Sequence, residues 1–245
     1  MKPDIVIADF SGALLAQGFL SFLEEKGLLF RRVGMEDIEG TGCYCDPEAE
    51  SEIRRRLEPF RAARIRWIDS GDYHYVTKIL AEFQKEPFVL VLIDNHPDDQ
   101  EPAFGGDVLS CGSWVKAMRE GNPFLEEVWT LGPDHRIRNA SGTVDRELEE
   151  GIDDLMAALQ GHRVYLSVDK DVLRKEESRT DWSQGNYSLR QLKGWLEPLL
   201  KGREIVAADL CGELSPAKGA TPEDLRINLN TNIDLQEFIL ACLNR

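Results

Sequence analysis

Residues 88–93, FVLVLI, form an uninterrupted apolar run of strand length. A strand with one face in water alternates apolar and polar side chains, so this run must be buried on both faces. Similar short apolar runs recur along the chain, and stretches with helical period lie between most of them. The alternation predicts an α/β fold of three layers, α/β/α, with a mainly parallel central sheet.

The same patterns predict where the individual elements lie. The strands are predicted at 4–10, 28–33, 64–69, 88–94, 127–132, 163–168 and 204–209. The helices are predicted at 13–27, 48–62, 74–85, 145–161 and 188–202, with a closing helix at 232–245. No internal repeat or long linker divides the chain, so we expect one domain, residues 1–245.

Composition narrows the choice of partners. The chain has 44 acidic and 29 basic residues, a formal net charge of −15. The electrostatic field of this negative charge repels a phosphate backbone, so nucleic acid is not an expected partner. No segment approaches the roughly 18–20 apolar residues that span a bilayer. The N-terminus lacks the features of a signal peptide, and the five cysteines are irregularly spaced, so we expect reduced thiols and a cytoplasmic location.

Charged residues follow the apolar run at once. Asp94, His96 and Asp98 stand at i, i+2 and i+4, a spacing that puts all three side chains on one side of an extended backbone. Gathered there, the buried carboxylates would repel one another, and a divalent cation would remove the repulsion. The alternative is a charged loop that reaches water.

A second apolar strand, in RVYLSVDKD, also ends in two carboxylates, Asp169 and Asp171. In open parallel sheets the carboxyl ends of strands gather around ligands. Oxygen ligands with few imidazoles favour Mn²⁺ or Mg²⁺ over a thiolate-rich zinc site. His74, which follows the turn at Gly71, is a third candidate ligand; its alternative role is that of a helix-start or surface residue.

Four segments, in this order, resemble motifs of the arginase/agmatinase ureohydrolases. DNHPD at 94–98 resembles their D-x-H-x-D motif, and SVDKD at 167–171 resembles S-x-D-x-D. SGDYH at 70–74 stands where the family has Gly-Gly-Asp-His, and CGELSP at 211–216 resembles Glu-x-Asn-Pro. The resemblance spans roughly residues 64–216.

This resemblance implies an arginase-like fold with a centre of two Mn²⁺ ions, which hydrolyses a guanidino-like or amide-like C–N bond of a small molecule. It also implies a homo-oligomer. Bridging of the two ions is implied for Asp94 and Asp169, and pairing with the substrate's guanidinium for Glu213. Asp98 or Asp171 would take the remaining proton of the attacking water. The implied ligands of one ion are His74, Asp94, Asp98 and Asp169, and those of the other are Asp94, His96, Asp169 and Asp171.

The sequence departs from the family in three places. Tyr73 separates Asp72 from His74. Cys111 lies in the region where the family has its shuttle histidine. Its thiol could serve as a weak acid, or Cys111 could simply be a small buried residue. The segment TDWSQG replaces the usual substrate loop and is expected to bring Asp181, Trp182 and Gln184 near the mouth of the site. The alternative is a Gly-containing turn that caps the helix from Ser188.

Two other functions remain open at this point. One is a metal-dependent deacetylase-like hydrolase that uses a single ion. The other is a catalytically silent member that binds a metal or a small ligand. The number of bound ions distinguishes the first alternative, and hydrolysis of guanidino compounds distinguishes the second.

Overall fold

The computed structural model of the protein describes residues 4–102 and 108–244. Its strands are β1 (Ile5–Asp9), β2 (Phe30–Gly34), β3 (Tyr44–Cys45), β4 (Ile65–Ile68), β5 (Phe88–Ile93), β6 (Leu109–Ser110), β7 (Leu125–Leu131), β8 (Arg136–Asn139), β9 (Asp145–Glu147), β10 (Val164–Asp169) and β11 (Ile205–Cys211). Its α-helices are α1 (Ala13–Ala16), α2 (Phe19–Glu25), α3 (Pro47–Leu57), α4 (Val76–Ala81), α5 (Trp114–Gly121), α6 (Leu148–Ala158), α7 (Leu189–Leu200) and α8 (Pro222–Leu243).

One large sheet organises these elements. Its strand order is β2-β1-β4-β11-β10-β5-β7-β8-β9. The strands from β2 to β7 in this order pair in parallel, whereas β8 and β9 extend the edge antiparallel. β3 and β6 form a separate two-stranded ribbon. The predicted α/β class and mainly parallel sheet are confirmed.

Alternate residues of each central strand enter two different apolar cores. In β1, Ile5 and Ile7 pack in a cluster that includes residues of α2, α6, α7 and α8. Val6 and Ala8 pack in a second cluster with residues of α3, α4 and α5. Successive side chains of a strand point to opposite faces, so helices cover both sides of the sheet and make the predicted three layers.

Some predicted elements differ from the observed ones. The helix predicted at 13–27 is two helices, because Gly18 between them has a left-handed backbone, with φ of 83°. The helix predicted at 145–161 begins as strand β9, since these residues pair with β8 at the sheet edge. The helix predicted from residue 74 follows a 3-10 turn and begins at Val76.

The C-terminal helix α8 begins with a capping box. The side chain of Thr221 accepts a hydrogen bond from the Asp224 amide, and the Asp224 side chain accepts one from the Thr221 amide. Pro222 stands at the first helical position, where its missing N–H costs nothing. Along its 22 residues, α8 is far too polar to cross a membrane, and no other helix among the described residues is long and apolar enough to do so.

Candidate metal centre

Three central strands of the sheet, β4, β10 and β5, bring the predicted site residues together at the carboxyl end of the sheet. β5 ends at Ile93, directly before Asp94, and its partner β10 ends in Asp169. After β4 the chain turns through the 3-10 turn at 71–73 and then reaches His74. Because the carboxyl ends of these parallel strands lie on the same side of the sheet, side chains distant in sequence converge there.

The first cluster surrounds one nitrogen of His74. Its Nδ1 atom lies 3.2 Å from Asp94 Oδ2, 3.1 Å from Asp98 Oδ2 and 3.5 Å from Asp169 Oδ2. All four side chains are buried. The other ring nitrogen, Nε2, lies 3.0 Å from the Ser167 hydroxyl. A ring that donates there presents the Nδ1 lone pair to the carboxylates, as a metal-ligating histidine does.

The second cluster contains His96. Its Nδ1 atom lies 2.7 Å from Asp171 Oδ2 and 3.5 Å from Asp94 Oδ1. Asp94 therefore directs one oxygen toward each cluster. Ligand atoms of His74, Asp94 and Asp98 lie within 4.8 Å of one another, as do those of Asp94, His96 and Asp171.

The loop after β5 reaches this geometry in a way that the sequence spacing does not predict. Strand structure ends at Ile93, and Asp98 has a left-handed backbone, with φ of 49°. The extended-backbone explanation for the convergence of Asp94, His96 and Asp98 is therefore wrong, although the side chains do meet. Trp114 of α5 donates from its indole nitrogen to Asp98 Oδ2 at 2.6 Å and so orients that carboxylate.

Backbone amides fix the remaining carboxylates. The Asp171 amide donates to Asp169 Oδ1 at 2.8 Å, and the Asn95 amide donates to Asp171 Oδ1 at 3.0 Å. Gly212 lies against Asp169 so closely that a Cβ there would be 2.1 Å from Asp169 Oδ1. Any side chain at position 212 would displace the Asp169 carboxylate, so this position requires glycine.

Burial and mutual repulsion perturb the carboxylates. Burial, reinforced by the charge of Asp94, raises the pKa of Asp169 to about 7. Burial also raises the pKa values of Asp98 and Asp171. For Asp94, burial favours the neutral form, but contacts with the two histidines outweigh it and hold the pKa below its usual range. Hydrogen bonds to Asp171 and Asp94 raise the pKa of His96 to about 11.

This donor set suits divalent cations. Asp94 Oδ2 is buried and has no hydrogen-bond partner, although His74 Nδ1 is 3.2 Å away. A cation between these two atoms would satisfy both of them, with the imidazole neutral and its other nitrogen donating to Ser167. Four carboxylates and two imidazoles are the oxygen-rich set that Mn²⁺ and Mg²⁺ accept.

The structure does not place Glu213 in the cavity that these clusters line. Its carboxylate is fully buried and accepts hydrogen bonds from Lys170, Gln17, Asn228 and Asn232. Lys170 is itself fully buried, so the pair neutralises two interior charges. We therefore correct the assignment of Glu213 to a substrate guanidinium, because an internal cation already occupies this carboxylate.

Asp181 is also engaged elsewhere. One of its carboxylate oxygens accepts a hydrogen bond from the Ser215 amide at 3.1 Å, and the other lies 3.2 Å from Lys218 Nζ. Neighbouring Trp182 lines the cavity, and Asp181 does not. The predicted substrate contact of Asp181 is corrected accordingly: the loop reaches the site, but through its tryptophan.

Cys111 lines the cavity together with Cys43. Burial, together with the neighbouring Cys43 and Asp98, raises the pKa of the Cys111 thiol far above its usual value. Such a thiol is a poor proton relay near neutral pH, and we do not retain the predicted acid role for it. The position fits the alternative interpretation as a buried small residue.

Sequence reasoning missed three residues that hold the site together: Trp114, Ser167 and Lys170. Ser167 belongs to the motif that contains Asp169, and its position two residues earlier on β10 was the available signal. Trp114 contacts Asp98 across 16 residues, and Lys170 contacts Glu213 across 43. No local pattern in the sequence indicates those two contacts.

Comparison with known proteins identifies one relative in sequence and several similar folds. No protein-family model matches the chain. An uncharacterized protein of Thermotoga maritima is 32% identical over 239 residues, which cover 94% of this chain and 88% of the relative.

Several solved structures share the fold. Proclavaminate amidino hydrolase from Streptomyces clavuligerus matches with a TM-score of 0.69 at 19% identity, covering 98% of this chain and 92% of that one. Formiminoglutamase from Trypanosoma cruzi, solved with Mn²⁺, matches with a TM-score of 0.68 at 15% identity, covering 99% and 94%. A hypothetical agmatinase from Burkholderia thailandensis matches with a TM-score of 0.64 at 20% identity, covering 97% and 85%. The chain belongs to the same family as the uncharacterized Thermotoga maritima protein, and its fold is that of the agmatinase, amidino hydrolase and formiminoglutamase structures.

Proposed function

We propose that the chain is a metal-dependent hydrolase that binds two divalent cations, Mn²⁺ foremost, and cleaves a linear C–N bond of amidine, guanidine or amide type in a small molecule. The observation that carries the proposal is the position of Asp94, whose two oxygens face two separate clusters of ligand atoms. The names of the structural neighbours support the class of bond, since they include an amidino hydrolase and a formiminoglutamase.

The proposed ligands fall into two overlapping sets. His74, Asp94, Asp98 and Asp169 would hold one ion, and Asp94, His96, Asp169 and Asp171 would hold the other. Bound divalent ions lower the pKa of water from 15.7 toward about 7 and so make hydroxide available near neutral pH.

The protein's own residues would then move the proton. Both oxygens of Asp171 have close partners, namely the Asn95 amide and His96. The contacts of Asp98 with Trp114 and His74 fall on Oδ2. We therefore propose Asp98 Oδ1 as the first acceptor of the water proton, with Asp171 as the alternative. The indole of Trp114 keeps the Asp98 carboxylate oriented during the transfer.

Metal analysis tests the proposal directly. After loading with Mn²⁺ and removal of excess ion, we expect two ions per chain. Asp94→Ala and Asp169→Ala should each lower this number below one, because each residue belongs to both proposed ligand sets. A matched control is Asp153→Asn, which removes an exposed carboxylate of α6 and should leave the stoichiometry unchanged. Less than one ion in the wild-type chain would refute the proposal.

Ammonia and urea release across a panel of guanidines, amidines and amides tests the reaction. Hydrolysis with two ions bound is the expected result. A single bound ion with amide hydrolysis alone would favour the deacetylase-like alternative. Two ions without any hydrolysis would favour a silent metal-binding protein.

A further inference from the structure

The cavity at the metal centre is small, and two of the residues that line it are exposed aromatic residues. Its volume is about 150 Å³. The carboxylates and histidines of both clusters line it too, so the cavity is polar at the metal centre and aromatic at Tyr44 and Trp182. Four large hydrophobic side chains are notably exposed among the described residues, and two of them, Tyr44 and Trp182, line this one cavity. Leu15 and Leu29 do not. Exposed aromatic area concentrated at a ligand site indicates a binding surface.

The Trp182 ring is held in a fixed position. Its indole nitrogen donates to Asp72 Oδ1 at 2.9 Å, and its ring meets the edge of His96 with centroids 5.9 Å apart. A Cβ on Gly71 would lie 2.8 Å from the ring atom Cδ1, so the ring packs directly on bare backbone. A tryptophan restrained on three sides is a preorganised wall, which binds a flat group at little cost in side-chain entropy.

The cavity has little positive charge of its own for an anion. Among the described residues that line it, none is a lysine or an arginine, and His74 and His96 already contact carboxylates. Lys218, the basic residue that shares Asp72 with Trp182, is already bound to Asp72 at 2.7 Å and to Asp181 at 3.2 Å. The net charge of −15 adds long-range repulsion. With two divalent ions bound, their four positive charges would be offset by Asp94, Asp98, Asp169 and Asp171, so the centre would have no excess positive charge for a substrate carboxylate.

We propose that the substrate is a non-anionic amide or amidine with a planar apolar group, which rests against Trp182 and Tyr44 while its C–N bond faces the carboxylate clusters. The proposal rests on the proposed function for the chemistry of that bond. It goes further in excluding carboxylate-bearing substrates and in naming two specificity-determining residues, Tyr44 and Trp182.

A matched series of three amides tests the ligand class by NMR titration of the Mn²⁺-loaded protein. Benzamide carries the flat group without charge, 4-carbamoylbenzoate adds a carboxylate, and acetamide removes the ring. Benzamide should bind at least about tenfold more tightly than either of the others. Equal or tighter binding of 4-carbamoylbenzoate or of acetamide would overturn the proposal, as would a lack of benzamide binding at millimolar concentrations.

Variants of Trp182 test the wall itself. Trp182→Ala should weaken benzamide binding by roughly five- to tenfold and leave acetamide binding unchanged, whereas Trp182→Phe should retain most of the benzamide affinity. Leu15→Ala, which truncates an exposed side chain outside the cavity, is the matched control. Metal content is measured for each variant, so that loss of ions is not mistaken for loss of the wall. Unchanged benzamide affinity in metal-loaded Trp182→Ala contradicts the proposed contact.

Turnover separates the two proposals. Discrimination among the three amides without hydrolysis of any amide, amidine or guanidine would refute the proposed function and leave the ligand class standing. If carboxylate-bearing compounds were hydrolysed as fast as their uncharged analogues, the proposed ligand class would be refuted and the proposed function would stand.

Discussion

At the scale of single residues, Lys170 gives a second role to the segment SVDKD, residues 167–171. It stands between Asp169 and Asp171, which face the metal centre, yet its ammonium group pairs with Glu213 on the other side of the strand. Asn232 accepts a hydrogen bond from the same ammonium at 2.7 Å. The same five residues therefore supply candidate metal ligands on one side and a neutralised interior charge on the other.

Removal of this ammonium should destabilise the protein. Lys170→Met leaves the fully buried Glu213 carboxylate without its cation, which typically costs about 3–5 kcal/mol of the free energy of unfolding. Lys193→Met is the matched control, because Lys193 pairs with Asp234 at a partly exposed position and should cost no more than about 1 kcal/mol. Urea denaturation of both variants measures the difference. Equal losses would mean that the buried pair contributes no more than the exposed one.

The residue scale also explains how far the sequence could predict the site. Asp94, His96 and Asp98 are close in sequence, as are Asp169 and Asp171, and both groups follow recognisable apolar strands. Their assembly at one edge could therefore be predicted. The engagement of Glu213 could not, because it depends on Gln17, Asn228 and Asn232, which come together only when α8 packs beside the site.

At the scale of elements, β4 and β11 place a charged pair inside the sheet. Arg66 and Asp209 are register partners on these parallel strands, and both side chains are buried. Arg66 Nη1 lies 3.9 Å from Asp209 Oδ1, which has no hydrogen-bond partner, while the Tyr165 hydroxyl donates to Asp209 Oδ2 at 2.6 Å. Burial therefore outweighs the attraction of Arg66 and raises the pKa of Asp209 to about 6.

This pKa predicts a pH dependence of stability. The unfolded carboxyl group loses its proton near pH 3.9, but the folded one keeps it until about pH 6, so rising pH between these values favours unfolding. Relative to Asp209→Asn, the wild-type free energy of unfolding should fall as pH rises from about 4 to 7. Arg66 keeps its hydrogen bonds to Ala63 and Arg61 in that variant. Urea denaturation across this range measures the difference, and a constant difference would contradict the raised pKa.

Element boundaries were predicted less well than element types for a physical reason. The predicted parallel strands are observed because their apolar runs are buried on both faces, a strong local signal. β8 and β9 were missed because edge strands carry mixed, partly exposed side chains that resemble a loop or a helix start. Pairing of β8 with β7 and of β9 with β8, which are tertiary interactions, decides the structure of these two strands.

At the scale of the whole molecule, the sheet acts as a frame that holds four buried carboxylates against their mutual repulsion. Asp94, Asp98, Asp169 and Asp171 lie at its edge, and the free energy of keeping them together comes from the two apolar cores on the faces of the sheet. A cation bound by the folded protein but not by the unfolded chain would add to that stability through mass action. Stability and metal concentration should therefore be linked.

This linkage gives a measurable shift in the thermal midpoint. At a free Mn²⁺ concentration of 100 times the dissociation constant, one site adds about 2.7 kcal/mol, which corresponds to a rise of about 5–10 °C for a chain of this length. Asp94→Asn should abolish most of the rise, since Asp94 contributes an oxygen to both clusters. Asp153→Asn should retain it. Calorimetry in chelator and in Mn²⁺ compares the three proteins, and a rise in Asp94→Asn equal to that of the wild type would show that the ions bind elsewhere.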